Sequence, residues 1–394
     1  MKPKKRIRVG VSIEHIREWG RQICRGVSAF AQVHPDWSLT LFEKGLPGPD
    51  ELRRCDGFLW CVNEARTARR LAETGRPVVN LISGRRFGGM VSVAGDDDAI
   101  GRLAARFLME RRFGNFAFCG WGGLYFSDAR GAAFEDELKR SGFKCVRYRS
   151  RGRNARRDVE YSAGDDKLFL PGDAKEIEQW VRELPKPIAI FCASDYRAWH
   201  LSEICSRIGI DVPKSVALLG VDNDPIPSTM TAPTISSIDK DTFRTGYLAA
   251  ETLDRIIRGE RSRTDLTPIL VQPLSIVSRE STAIYPVEPQ WLADAMLFIH
   301  DGVADALTAA DVAKHVNLSY SNVEATFRRV LKTTVQKQIM AARLARAEEL
   351  LLMTDLSLAE ISEQSGFRSQ QYFTNAFRSV HHASPTAWKG KRIL

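Results

Sequence analysis

Through residues 7–277, short apolar runs alternate with helix-length segments, and this alternation limits the possible folds more than any other feature. "IRVGVSI" (7–13) is apolar and β-branched, and the helical "IREWGRQICRGVSAFAQV" (16–33) follows it. "LTLFE" (39–43), "DGFLWCV" (56–62) and "PVVNLI" (77–82) continue the series. After a helix over 98–112, "FAFCG" (116–120) opens a second series with "KCVRYR" (144–149), "IAIFCAS" (188–194) and "VALLGVD" (216–222). The segment "ILVQPLSIV" (269–277) is expected to form one last strand. Strands separated by helices of about ten to fifteen residues predict βαβ units and parallel sheets. Two series in tandem predict two doubly wound lobes. Ligands bind such sheets beyond the carboxyl ends of their strands, so the cleft between the lobes is the expected site.

The pattern then changes. "YPVEPQ" (285–290) carries two prolines and no periodicity, and everything after it is helical, which divides the chain at 1–284 and 285–394. The second part contains an internal repeat: "VAKHVNLSYSNVEATFRRV" (312–330) aligns with "ISEQSGFRSQQYFTNAFRSV" (361–380) if the second copy has one extra turn residue. Each copy reads as helix, tight turn, helix. Each first helix opens on a capping pair three residues apart, Thr308 with Asp311 and Ser357 with Glu360. Between the copies "VQKQIMAARLARAEELLLM" (335–353) has helical periodicity and no breaker, and is expected to hold them at fixed separation.

Composition excludes more than it selects. With 44% hydrophobic and 27% charged residues, the chain can build real cores. It has no apolar run long enough for a membrane helix, and its basic start lacks the apolar core of a signal peptide. Seven cysteines without a C-x-x-C pair fit reduced thiols, so a cytoplasmic protein is expected. The net charge is +9, but the part from Tyr285 onward holds 12 Lys and Arg against 11 Asp and Glu. The excess lies earlier, much of it in the Arg-rich stretch 147–158, whose simplest reading is a solvated surface loop.

Within the repeat, Phe373, Ala376 and Phe377 share one helix face while Gln370, Gln371 and Asn375 share the other. Neutral amides solvate a surface less well than Lys or Glu. They do pair in a bidentate way with adenine N6 and N7 in a major groove, where a helix-turn-helix places its second helix. Any one of these amides could simply be surface; their place in a duplicated helix-turn-helix favours double-stranded DNA. Arg368 belongs to the same face. In the first copy, Ser321, Asn322 and Glu324 are the readers and Arg328 is assigned to phosphate.

The last hundred or so residues resemble the DNA-binding module of the AraC/XylS regulators. The resemblance rests on Gly366-Phe367, Ser369, Tyr372-Phe373, Phe377-Arg378, Ser384-Pro385 and Trp388, and less strongly on Leu318-Ser319, Val323 and Phe327-Arg328. Where that family often has glycine, this chain has Lys332 and His382, so altered turns are expected. Where the family often has a basic base-reading residue, it has Ala325 and Asn375.

In the front part "SDAR" (127–130), "ASDYR" (193–197) and "GVDND" (220–224) each place charge at a strand's carboxyl end. Carboxylates and an arginine converging from separate strands suit sugar hydroxyls, and Trp19 could cover a ring's apolar face. Asp195 would serve equally well as a helix N-cap. The arrangement resembles the periplasmic-binding-like cores of the LacI/GalR repressors: "SDARGAAF" partly matches their "S-x-x-R-x-x-G-F", with Ala133 replacing glycine. The resemblance implies Arg130, Asp195 and Asp222 as ligand contacts.

Together these features predict a two-lobed α/β periplasmic-binding-like sensor followed by an all-α domain with two helix-turn-helix units. The implied function is a sugar-responsive regulator acting as a homodimer on repeated half-sites, with a pentose such as D-xylose as candidate ligand and RNA polymerase as candidate partner. The rivals are a sugar-binding enzyme and a transport-associated binding protein. No phosphate loop, dinucleotide fingerprint, H-E-x-x-H or G-x-S-x-G supports the first. His381-His382 has no Cys or carboxylate at metal-ligand spacing, so no metal, cofactor or catalytic residue is expected.

Overall fold

The computed structural model describes residues 6–42, 47–82, 84, 87–148, 171–305, 307–354 and 356–393. Most of the Arg-rich stretch at 147–158 lies outside them. Two compact units divide the chain: Met1–Arg106, Asn115–Pro273 and Val277–Ser281 form the first, and Phe107–Gly114, Leu274–Ile276 and Thr282–Leu394 form the second.

The first unit is built from two parallel sheets. β1 (Ile7–Ser12), α1 (Glu18–Val33), β2 (Trp37–Leu41), α2 (Pro49–Arg53), β3 (Gly57–Trp60), α3 (Ala65–Ala72), β4 (Val78–Asn80) and β5 (Val91–Gly95) make the first βα series, which ends in α4 (Asp97–Glu110). The second series comprises β6 (Phe116–Cys119), α5 (Tyr125–Arg140), β7 (Cys145–Arg147), α6 (Pro171–Glu183), β8 (Ile188–Cys192), α7 (Asp195–Arg207), β9 (Val216–Val221), α8 (Pro225–Thr229) and β10 (Ser236–Asp239). α9 (Thr242–Ile257) then packs beside α1, β11 (Ile269–Val271) adds to the first sheet, and β12 (Ser275–Val277), two of whose three residues group with the second unit, adds to the second sheet. Among the described residues the strand orders are β11-β5-β4-β3-β1-β2 and β12-β10-β9-β8-β6-β7. Strands at the centre of each sheet, such as "IAIFC" in β8 and "VALLGV" in β9, are buried at every position. Helices cover both faces of a parallel sheet, so its central strands read as unbroken apolar runs.

The expected single strand over 269–277 is two strands in two sheets. β11 pairs with β5 of the first sheet, and β12 joins the second sheet beside β10. Pro273 separates them, and a proline lacks the N–H that a continuous ladder would need.

The second unit is helical: α10 (Gln290–Asp301), α11 (Ala309–His315), α12 (Tyr320–Thr326), α13 (Val335–Met353), α14 (Leu358–Gln364), α15 (Gln370–His381) and α16 (Pro385–Ile393). α12 and α15 bury their apolar stripes, Val323 and Phe327 in one core and Phe373 and Phe377 in another. Full burial of each Phe contributes about 1.5–3 kcal/mol. A π-turn over Phe327–Leu331 extends α12. Residues 107–114, though flanked in sequence by the first unit, pack here. The Arg111 guanidinium lies over the rings of Phe107 and Tyr285, and Arg112 Nη2 donates to the Leu331 carbonyl at 3.1 Å.

Candidate ligand cleft and DNA-reading surfaces

Parallel strands all end at one edge of their sheet, so the segments after β1, β6, β8, β9 and β10 bring their polar side chains together. Asp195, directly after β8, is fully buried. Its Oδ1 accepts the Ser237 hydroxyl at 2.5 Å and its Oδ2 accepts the Asp224 N–H at 2.8 Å, which ties together the ends of β8, β9 and β10. A Cβ at Gly220 would collide with this carboxylate, so β9 must carry glycine there. Burial pushes the Asp195 pKa well above the ordinary carboxylate value, and the Asp222 charge adds to the shift. The N-cap role open to Asp195 belongs instead to Ser194, whose hydroxyl accepts the Arg197 N–H.

Arg130 is also buried. Its Nε donates to Asp97 Oδ1 at 2.8 Å and its Nη1 to the Ala193 carbonyl at 2.6 Å, with its guanidinium over Phe126. Asp222 sits at φ 112° and faces Lys240, whose Nζ is 2.6 Å from Asp222 Oδ1 and 5.6 Å from the centroid of the Trp19 ring. Trp19 lies in the first turn of α1 and belongs largely to the first sheet's core. Trp19 and Asp222 are therefore brought together through Lys240, while Arg130 and Asp195 are buried in hydrogen bonds of their own.

Sequence reasoning missed several residues of this edge. Glu14 follows β1; its Oε1 accepts the Arg17 N–H at 3.0 Å, and its Oε2 is buried with no hydrogen-bond partner among the described residues. Trp121 follows β6 and has its indole N–H in the same state, with the Arg197 guanidinium 5.2 Å from its ring. Arg17 lies over Tyr196, and the Glu18 N–H donates to Asp224 Oδ2 at 3.2 Å. Position just beyond a predicted strand end was the signal that could have found them. A carboxylate, an indole N–H and an ion pair offer the mixed donors and acceptors that hydroxyl groups require.

The second unit contains two helix-turn-helix units with matching caps. Ser319 accepts the Asn322 N–H and Ser369 accepts the Tyr372 N–H, so α12 and α15 start alike. Both expected capping boxes form, Thr308 with Asp311 and Ser357 with Glu360. Ser321, Asn322 and Arg328 on the first helix are exposed, as are Arg368, Gln370, Gln371 and Asn375 at the second. Glu324 departs from expectation. Its Oε2 accepts the Val335 N–H at 3.1 Å, which caps the start of α13, and its Oε1 holds Arg328 at 2.9 Å. Glu324 is thus tied to the start of α13 through one oxygen and to the exposed Arg328 through the other.

Lys332 at φ 55° and His382 at φ 53° take the left-handed turn that glycine usually supplies, so these turns keep their shape without glycine. The strain is of order 1–3 kcal/mol per residue. His381 does have a carboxylate partner, remote in sequence: its Nε2 is 2.9 Å from Glu348 Oε1, and its ring packs on Phe377 and Trp388. Among the described residues, no group of three or more His, Cys, Asp or Glu could hold a metal ion. None of the described helices is long and apolar enough to cross a membrane.

Two sheets with polar side chains gathered at their strand ends, joined in one chain to paired helix-turn-helix units, fit a DNA-binding transcriptional regulator rather than an enzyme. Residues 105–282 match a periplasmic binding protein-like domain and residues 312–391 a helix-turn-helix domain, so the chain joins one domain of each kind. It is similar to the xylose operon regulatory protein of Haemophilus influenzae, with 24% identity covering 94% of this chain and 95% of the relative. The xylose operon regulatory protein of Escherichia coli K12 is 24% identical over 98% of this chain and 97% of its own. A solved structure of the xylose-binding transcription activator XylR shares the fold with a TM-score of 0.61 and 24% identity, covering 98% of each chain.

Proposed function

We propose that this chain is a sugar-responsive, sequence-specific activator of pentose-utilisation genes, acting in the cytoplasm as a homodimer. A sensor spanning residues 1–284 binds a pentose such as D-xylose, and a reader spanning 285–394 recognises an operator with repeated half-sites. The ligand-contact set is Trp19, Arg130, Asp195 and Asp222, with Trp19 and Asp222 nearest the ligand. The DNA set is Ser321, Asn322, Arg328, Arg368, Gln370, Gln371 and Asn375. The observation that carries the reading is the Asp222–Lys240 ion pair beside the Trp19 indole, a paired acceptor and donor next to an apolar ring face. The xylose named for the relatives directs the choice among sugars.

The sugar shifts an existing equilibrium between sensor conformations and so changes how the dimer places its paired units in adjacent major grooves. It can do so only by its differential affinity for the two states. RNA polymerase is the expected partner of an activator so placed. A thermal-shift screen of the full chain against D-xylose, other pentoses and hexoses tests the ligand. D-xylose should raise the melting temperature of the wild type and leave Asp222→Ala unmoved. No shift with any sugar, or an equal shift in both proteins, would reject the assignment. Light scattering that found only monomer, with and without operator DNA, would reject the dimer.

A further inference from the structure

α13 serves two cores at once. Val335 and Ile339 in its first half pack with α10, α11 and α12, whereas Leu344, Ala347, Leu350 and Leu351 pack with α14, α15 and α16. At about 1.5 Å per residue the 19-residue helix is about 28 Å long, and helices of that length curve gently, so a direct contact between the two cores fixes their angle more tightly than the helix alone.

The brace lies where the two cores meet. Arg343 is 6% exposed although it carries a full charge, and its Nη2 donates to the Leu307 carbonyl at 2.8 Å, just ahead of α11. Its Nε lies 3.2 Å from where a Cβ of Gly366 would stand, and this Nε has no hydrogen-bond partner among the described residues. Gly366 forms the turn between α14 and α15 at φ 71°, and a Cβ there would collide with the Val303 carbonyl. The turn of the second helix-turn-helix therefore rests directly on the segment that leads into the first one, with a buried guanidinium seated beside the contact.

We infer that Arg343 and Gly366 lock the angle between α12 and α15, and so set the one half-site spacing that the paired units accept. The inference rests on the proposal that both helices enter the same duplex. Each added base pair moves the second half-site by roughly 3.4 Å and turns it by roughly 34°. α13 holds the two helices at a roughly constant separation but lets them rotate somewhat about it, and the lock removes that remaining freedom. Arg343 is a positioning residue in this scheme: it touches no DNA.

The test uses the full-length protein and the best duplex it selects from random oligonucleotides, together with versions carrying one or two base pairs inserted between the halves. The wild type should lose about thirtyfold or more in affinity with one inserted base pair, the size of a lost bidentate contact or two. Arg343→Met keeps much of the volume without the donors. It should bind the original duplex within about fivefold of wild type, with its insertion penalty reduced to about threefold. Arg343→Lys, which retains a donor, should fall between the two and serves as the readout if the methionine variant does not fold. Gly366→Ala, if it folds, should move the preferred spacing. A variant that weakens all duplexes equally and keeps the wild-type insertion penalty overturns the lock. A wild type that selects no sequence, or whose footprint covers a single groove, refutes the paired-groove reading instead.

Discussion

Lys240 Nζ stands 2.6 Å from Asp222 Oδ1 with both side chains largely out of water, at 15% and 13% exposure. The Asp222 backbone is held at φ 112°, where a non-glycine residue is strained, by its N–H bond to the Ile238 carbonyl at 2.9 Å. Strain of this kind persists where the surroundings over-determine it, which is common at binding sites.

Removing one partner of this pair should therefore hurt more than removing both. Lys240→Met leaves a carboxylate uncompensated and should cost about 3 kcal/mol of stability in urea denaturation. The double variant Lys240→Met/Asp222→Asn should recover most of that loss, and both variants should lose the D-xylose response. A double variant that shows the sum of the two single losses would mean the groups do not interact.

Stability should carry a signature of Asp195. Burial raises its folded pKa above the unfolded value of about 3.9, so the folded state binds the proton more tightly. The contribution is complete below about pH 4 and is lost as pH rises through the raised pKa. The wild type should therefore lose melting temperature relative to Asp195→Asn as pH rises from about 4 upward. A difference between the two that stays flat over that range would contradict the raised pKa.

Glu324→Ala should act on the fold and not on base choice. It removes the acceptor for the Val335 N–H, so a loss of about 1 kcal/mol, the cost of a lost cap, is expected. The sequence preference obtained by random-oligonucleotide selection should not change. A new preference at one base position would return Glu324 to the reading face.

Gln371→Ala should do the opposite. The residue is exposed beside the Ser369 cap, so stability should be unchanged within about 0.5 kcal/mol. Affinity for the selected duplex should fall by about 1–3 kcal/mol, with relaxed preference at one base pair. Binding titrations against single-base variants of the duplex measure both effects.

Periodicity alone determined a great deal. The alternation of apolar runs with helices fixed two parallel sheets, because a βαβ unit has few ways to bury its apolar faces. The repeated caps and the uninterrupted 335–353 helix marked both helix-turn-helix units, since each signal is local and lies within one turn of the helix it starts. Contacts between residues far apart in sequence were decided only in three dimensions. Glu324 was assigned to base reading because nothing nearby in sequence shows that Val335, eleven residues on, returns to claim its carboxylate. Pro273 hinted at a break, but only the sheets show that the two halves of 269–277 join different lobes. That Ser194 caps α7 while the Asp195 carboxylate takes hydrogen bonds from Ser237 and Asp224 depended on which strand ends meet. Local pattern sets which elements form, whereas burial and hydrogen-bond partners depend on which elements meet, and no single stretch of chain encodes that.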